Sequence, residues 1–189
     1  MPYRDKNLNK EVRWKLRQFY RLILSYGDFK QAHYISSYIL LNKLHDSEDR
    51  RLLEALNCAM IISYCRPFSG NDRSFDSKIP DLPSSLLKNL TDDEKEIHEI
   101  ALADRNTLLA HSDSCAHDLQ PEVWTIKDTK ILMPVKNDTR APLTKEATEV
   151  FQSLSGKMRD VVFNERMQLE PELIDYFQHV SIEEFLKSE

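Results

Sequence analysis

The sequence predicts a mainly α-helical fold, a bundle of four to five long helices with a small β-hairpin insertion. Three observations carry that expectation. Apolar residues recur at helical spacing through most of the chain, only three of the 189 residues are glycine, and one short stretch is rich in β-branched and aromatic residues. Glycine and proline interrupt helices, and all-β folds need many tight turns, so a chain with so little glycine leans towards α. A length of 189 residues suits one hydrophobic core, which predicts a single domain over 1–189. With 41% hydrophobic and 30% charged residues, the composition is that of a folded globule with a solvated surface.

The elements follow in order. From Asn9 to about Tyr26, Val12, Leu16, Phe19, Tyr20, Ile23 and Leu24 recur at helical spacing, and Gly27 is placed to cap the segment's end. Asp28 then caps a second helix through Ala32, Ile35, Tyr38 and Ile39 to about Leu44. Asp46 or Ser47 opens a third, through Leu52, Leu56, Met60 and Tyr64, which Pro67 and Gly70 stop. Residues 67–90 are rich in Pro, Ser, Asp and Asn and read as a long loop, with a short turn around Leu86 and Leu87. Thr91 and Glu94 have the spacing of a capping box, launching a fourth helix through Ile97, Ile100, Leu108 and Leu109. Val123 to Ile126 and Ile131 to Val135, separated by polar residues, predict a β-hairpin within 121–136. A last long helix runs from Leu143 to about Met167, with short helical pieces after Pro171 and Ser181.

The chain's beginning is polar, with no secretory-type apolar stretch, and no segment approaches about 20 uninterrupted apolar residues, so no membrane partner and a cytoplasmic location are expected. Cys58, Cys65 and Cys115 are odd in number and sparse, which fits reduced thiols, the first two within an apolar helical pattern. The net charge of −5 argues against a protein that coats duplex nucleic acid. It leaves room for an enzyme that grips a few phosphates in one cleft, because local potential governs that case.

The segment Asp104 to Asp113, DRNTLLAHSD, holds the residues best suited to chemistry. Guanidinium is always charged and forks two donors onto phosphate oxygens, and imidazole exchanges protons near neutrality. Arg105 and His111 therefore suit RNA cleavage by the neighbouring 2′-hydroxyl, with Asn106 and Asp113 as auxiliary residues. On an ideal helix six residues separate the two side chains by about 120° and about 9 Å. Either the helix ends near Ala110 and His111 turns back, or two copies of the segment meet across a twofold axis. The alternative is structural: His111 answers the negative end of its helix, and Arg105 pairs with Asp104, Glu99 or another surface carboxylate.

At these residues the chain resembles the HEPN superfamily, whose pattern is an arginine, about four to six residues, then a histidine, with Asn, Asp or His commonly following the arginine. Arg105, Asn106 and His111 match it, and RNTLLAHSD resembles abortive-infection members in particular. The resemblance implies a four- or five-helix bundle, a homodimer with the motif at its interface, and metal-independent endoribonuclease activity in antiphage defence or as a toxin. It implies RNA as substrate and an antitoxin or regulatory protein as partner. Relatives without catalysis make a nucleotide- or protein-binding module the alternative.

Other features carry two readings each. Arg13, Arg17 and Arg21 recur every fourth residue, a stripe that can hold RNA phosphates or form a solvated face opposite the core. His98, seven residues before Arg105, can contact substrate or be satisfied within the fold. His111, Asp113, Cys115, His117 and Asp118 are possible metal ligands, but their spacing fits no familiar scheme and neither a CxxC pair nor HExxH is present. No metal and no cofactor are expected.

Overall fold

A computed structural model describes residues 9–68, 79–106, 119–136 and 141–176. The described residues form four α-helices and one antiparallel hairpin: α1 (Lys10–Leu41), α2 (Arg51–Cys65), α3 (Asp92–Asp104), β1 (Leu119–Ile126), β2 (Thr129–Lys136) and α4 (Lys145–Leu169). The mainly helical class with a hairpin is thus as the sequence predicts.

The first difference lies in α1. Gly27 does not end a helix; one helix of 32 residues runs through it, so the described residues 9–68 hold two α-helices where three are expected. Its buried positions explain the continuity. Leu22, Ser25, Phe29, Ala32, Ser36 and Ile39 follow one another at steps of three and four, a single seam that Gly27 does not interrupt. Glycine in a helix interior costs about 1 kcal/mol relative to alanine. Fully burying a residue such as Phe29 returns about 1.5–3 kcal/mol, so packing wins. The serines hide this seam from a hydrophobic reading. Ser36 answers its own burial by donating to the His33 carbonyl at 2.9 Å.

α4 presents the matching seam, Thr148, Phe151, Ser155, Met158 and Val162. The two helices lie antiparallel, as their pairings show: Gln152 Nε2 donates to Ser37 Oγ at 2.8 Å, His33 Nδ1 lies 3.0 Å from the Gln152 carbonyl, and Tyr26 meets Phe163 with ring centroids 6.0 Å apart. Small residues at the seam allow close approach. A Cβ on Gly156 would stand 3.3 Å from the His33 ring.

α2 starts at Arg51, later than Asp46 or Ser47, because Asp49 takes the Arg51 amide at 3.1 Å, while Leu44–Asp46 form a 3-10 turn. Leu53, Met60, Ile61 and Tyr64 bring it onto the core. Tyr64 is the hub of an aromatic cluster, with ring centroids 5.4 Å from Phe29, 5.1 Å from Phe151 and 5.6 Å from Phe68. Cys65 is buried and its thiol donates to the Ala101 carbonyl at 3.3 Å, whereas Cys58 is half-buried. Burial pushes the Cys65 thiol up to about 12, so it stays protonated as a core residue.

Within the expected loop, Arg66–Phe68 and Ser84–Leu87 are 3-10 turns, the second matching the turn anticipated at Leu86 and Leu87. The segment after residue 79 lies on the bundle: Leu82 and Leu90 are buried, and the Leu82 amide donates to the Pro67 carbonyl at 3.1 Å. The hairpin pairs Ile126 with Thr129 across Lys127 and Asp128, with Lys127 at a φ of 54°, as two-residue turns require. Val123 is 65% and Leu132 68% exposed. Thr144 caps α4 by accepting from the Ala147 amide at 3.2 Å. The helical piece expected after Pro171 is a pair of 3-10 turns that seat Leu173 on Val12 and Leu16. The piece expected after Ser181 lies outside the described residues. No helix among the described residues is long and apolar enough to cross a membrane.

Candidate functional site

α3 carries Arg105 to its place, and its position is set from both ends. Thr91 Oγ1 accepts from the Glu94 amide at 3.3 Å and Glu94 Oε2 takes the Thr91 amide at 2.8 Å, the reciprocal box anticipated from the sequence. Glu94 also accepts from Lys157 Nζ and from Ser153 Oγ, both on α4, so the start of α3 is tied to α4 by one buried carboxylate. Burial alone would raise the Glu94 carboxyl; the Lys157 ammonium, the Thr91 amide and the Ser153 hydroxyl outweigh it and hold it below the usual range.

One turn on, His98 faces inward. Its Nδ1 lies 2.8 Å from the Tyr64 hydroxyl and its ring meets Phe68 edge-on, with centroids 4.8 Å apart. Burial pushes this imidazole's pKa down, with Glu99 acting weakly the other way. His98 is therefore satisfied within the fold, the structural one of its two readings. It also borders a cavity of about 390 Å³ that Lys95, Leu87 and Leu102 share.

α3 ends at Asp104; Arg105 keeps helical dihedrals (φ −58°, ψ −44°), and Arg105 and Asn106 continue as a π-type turn. The Arg105 amide still reaches the Ala101 and Leu102 carbonyls, and Arg105 Nη1 donates to Asn106 Oδ1 at 2.8 Å. The arginine is half-buried and the asparagine exposed. Asp104 shares this end of the helix, its carboxyl raised by burial. Arg105 and Asn106 are thus brought together, with Arg105 donating to its neighbour rather than to Asp104 or Glu99. His111 and Asp113 lie outside the described residues, as do Cys115, His117 and Asp118. Among the described residues no group of three or more His, Cys, Asp or Glu side chains is placed to hold a metal ion.

The arginine stripe of α1 is divided. Arg13 and Arg17 border one surface cavity with Lys10, but Arg21 is 3% exposed and belongs to the buried face. The reason is geometric: eight residues at 100° each rotate Arg21 about 80° away from Arg13, towards Leu22 and Ser25. Arg21 Nε donates to the Pro80 carbonyl at 2.6 Å, and burial lowers its pKa against the opposing pull of Asp81 and Asp28. Arg21 therefore does not extend a phosphate-binding stripe. It lines a cavity of about 450 Å³ between α1, the Pro80–Leu86 segment and the end of α4, a feature with no local signature because its walls come from three distant parts of the chain.

Comparison of the chain with models of protein families, with curated proteins and with solved structures finds no match.

Proposed function

We propose that the protein is a metal-independent endoribonuclease of the HEPN type, acting as a homodimer in antiphage defence or as a toxin, with an antitoxin or regulatory protein as partner. The observation that carries this reading is the Arg105–Asn106 pair, hydrogen-bonded at 2.8 Å at the end of α3. A straight helix would aim Arg105 and His111 about 120° apart, so the proposal requires the chain to turn back beyond Asn106 or a second copy to supply the histidine. A mainly helical bundle is also the fold the motif implies.

In the proposed reaction the ribose 2′-oxygen bonds to the adjacent phosphorus and the bond from phosphorus to the 5′-oxygen breaks. The products are a 2′,3′-cyclic phosphate and a 5′-hydroxyl. His111 moves protons between the attacking and leaving oxygens, and Arg105 steadies the charge on the phosphoryl oxygens. Asn106 holds the guanidinium, and Asp113 is assigned to orient the imidazole.

Purified protein is expected to cut RNA in the presence of a chelator and leave cyclic phosphate ends. Arg105→Ala and His111→Ala should each slow cutting by about a hundredfold or more. Equal cutting by wild type and both variants would defeat the proposal. The cavity beside Arg21 favours a second reading, a non-catalytic module that binds a nucleotide; calorimetry that detects nucleotide alongside a blank RNA assay would select it.

A further inference from the structure

Trp14 stands between two different surfaces of α1. On one side it borders the 450 Å³ cavity that Arg21 lines. On the other it borders the basic cavity of Lys10, Arg13 and Arg17. The indole is 51% exposed, open to a stacking partner.

The chemistry of the two surfaces differs. Among the described residues, Nη2 of the buried Arg21 guanidinium, which lines the first cavity, meets no hydrogen-bond acceptor, although Nε is satisfied by Pro80. A buried donor left in this way favours a ligand with an acceptor. Asp81, Glu165 and Glu172 also line the cavity, and Glu172 is joined to Lys15 at 2.8 Å. This acidic wall opposes a phosphate and accepts from N–H groups. The neighbouring surface has the opposite character, with three cations in two turns of helix and Arg17 Nε buried without an acceptor among the described residues.

We infer that the first half of α1 binds one nucleotide of a single RNA strand: the base enters the Arg21 cavity against Trp14, and its phosphate rests on Lys10, Arg13 and Arg17. A base that sets a carbonyl oxygen beside a ring N–H, as guanine does, matches a guanidinium beside carboxylates; adenine lacks that pair. The division between stacking platform and cationic track is what single-strand binding requires. The substrate class rests on the ribonuclease reading, but the site is separate from Arg105, which lines neither cavity.

The test is binding by fluorescence anisotropy and calorimetry, using 5′-GMP, 5′-AMP and a short 2′-O-methyl oligoribonucleotide, which lacks the attacking hydroxyl and so separates binding from cutting. GMP is expected to bind more tightly than AMP. Trp14→Ala, at an exposed position, should weaken the oligonucleotide about tenfold or more and leave the salt dependence unchanged. Arg17→Ala should reduce the slope of log affinity against log salt by about 0.7. Arg21→Lys should erase the preference for GMP over AMP; a thermal melt reports whether it folds, and Trp14→Ala decides the matter if it does not. Nucleotide binding that Trp14→Ala abolishes, in a protein that cuts no RNA, would uphold this site and sink the nuclease. RNA cutting with GMP binding absent, equal to AMP, or indifferent to Trp14 would overturn this site and leave the nuclease standing.

Discussion

The Tyr64 hydroxyl and His98 Nδ1 lie 2.8 Å apart in the aromatic core, joining α2 to α3 through one buried hydrogen bond. The Tyr64 proton is held firmly, since burial, with Cys65 and Glu94 nearby, raises its pKa well above the ordinary value. The imidazole is the partner that can change charge near neutrality.

The stability of the fold should therefore depend on His98 at mildly acid pH. Its folded pKa is lowered from 6.5, so the unfolded chain binds the proton more readily. Stability is full above 6.5 and is lost as pH falls from there through the folded value. Urea titrations at several pH values should show this loss in wild type and a flatter profile over the same range in His98→Phe. At neutral pH that variant should also lose about 1–3 kcal/mol, because the Tyr64 hydroxyl is left without its partner. An unaltered pH profile would show that His98 is not the group responsible.

Glu94 should act in a lower window. Its folded carboxyl is depressed below 4.5, so its contribution is present above that value and disappears as pH falls through the folded pKa. Glu94→Gln is expected to cost about 1–2 kcal/mol at pH 7, less than a fully buried ion pair because Lys157 keeps 35% of its side chain exposed. The cost should shrink as wild type is acidified below 4.5, which denaturant melts of both proteins can check. A difference that stays constant with pH would mean the carboxylate's charge is immaterial.

Two glycines in helices should respond differently to alanine. At Gly27 an added Cβ meets nothing within 4 Å, so Gly27→Ala should stabilise by about 0.5–1 kcal/mol. At Gly156 the Cβ would press on the His33 ring at 3.3 Å, and that ring is held by the Gln152 carbonyl at 3.0 Å. Gly156→Ala should therefore gain nothing or lose stability. Equal gains at both positions would contradict the tight α1–α4 approach at His33.

What the sequence discloses here depends on how local the deciding interaction is. The Thr91–Glu94 box is visible because both partners sit within one turn, and the hairpin because its residue types contrast with a helical body. The continuity of α1 is hidden, since the deciding fact is a seam on α4 more than a hundred residues away, partly made of serines. Arg21 shows the same limit. Its spacing from Arg13 and Arg17 suggests a common face, and only the packing around Leu22 and Pro80 reveals that helical drift has taken it inside. Arg105 and Asn106 are legible as a motif, whereas their mutual hydrogen bond at the end of α3 has no marker in residue type.

The antiparallel seating of α1 on α4 has a consequence for biosynthesis. During translation the first long helix emerges well before its principal mate, leaving Phe29 and Ile39 without their α4 neighbours until residue 162 has been made. Such distant pairing makes closure slow and leaves an oily ridge for chaperones to shield, so this bundle should close only after α4 has been made.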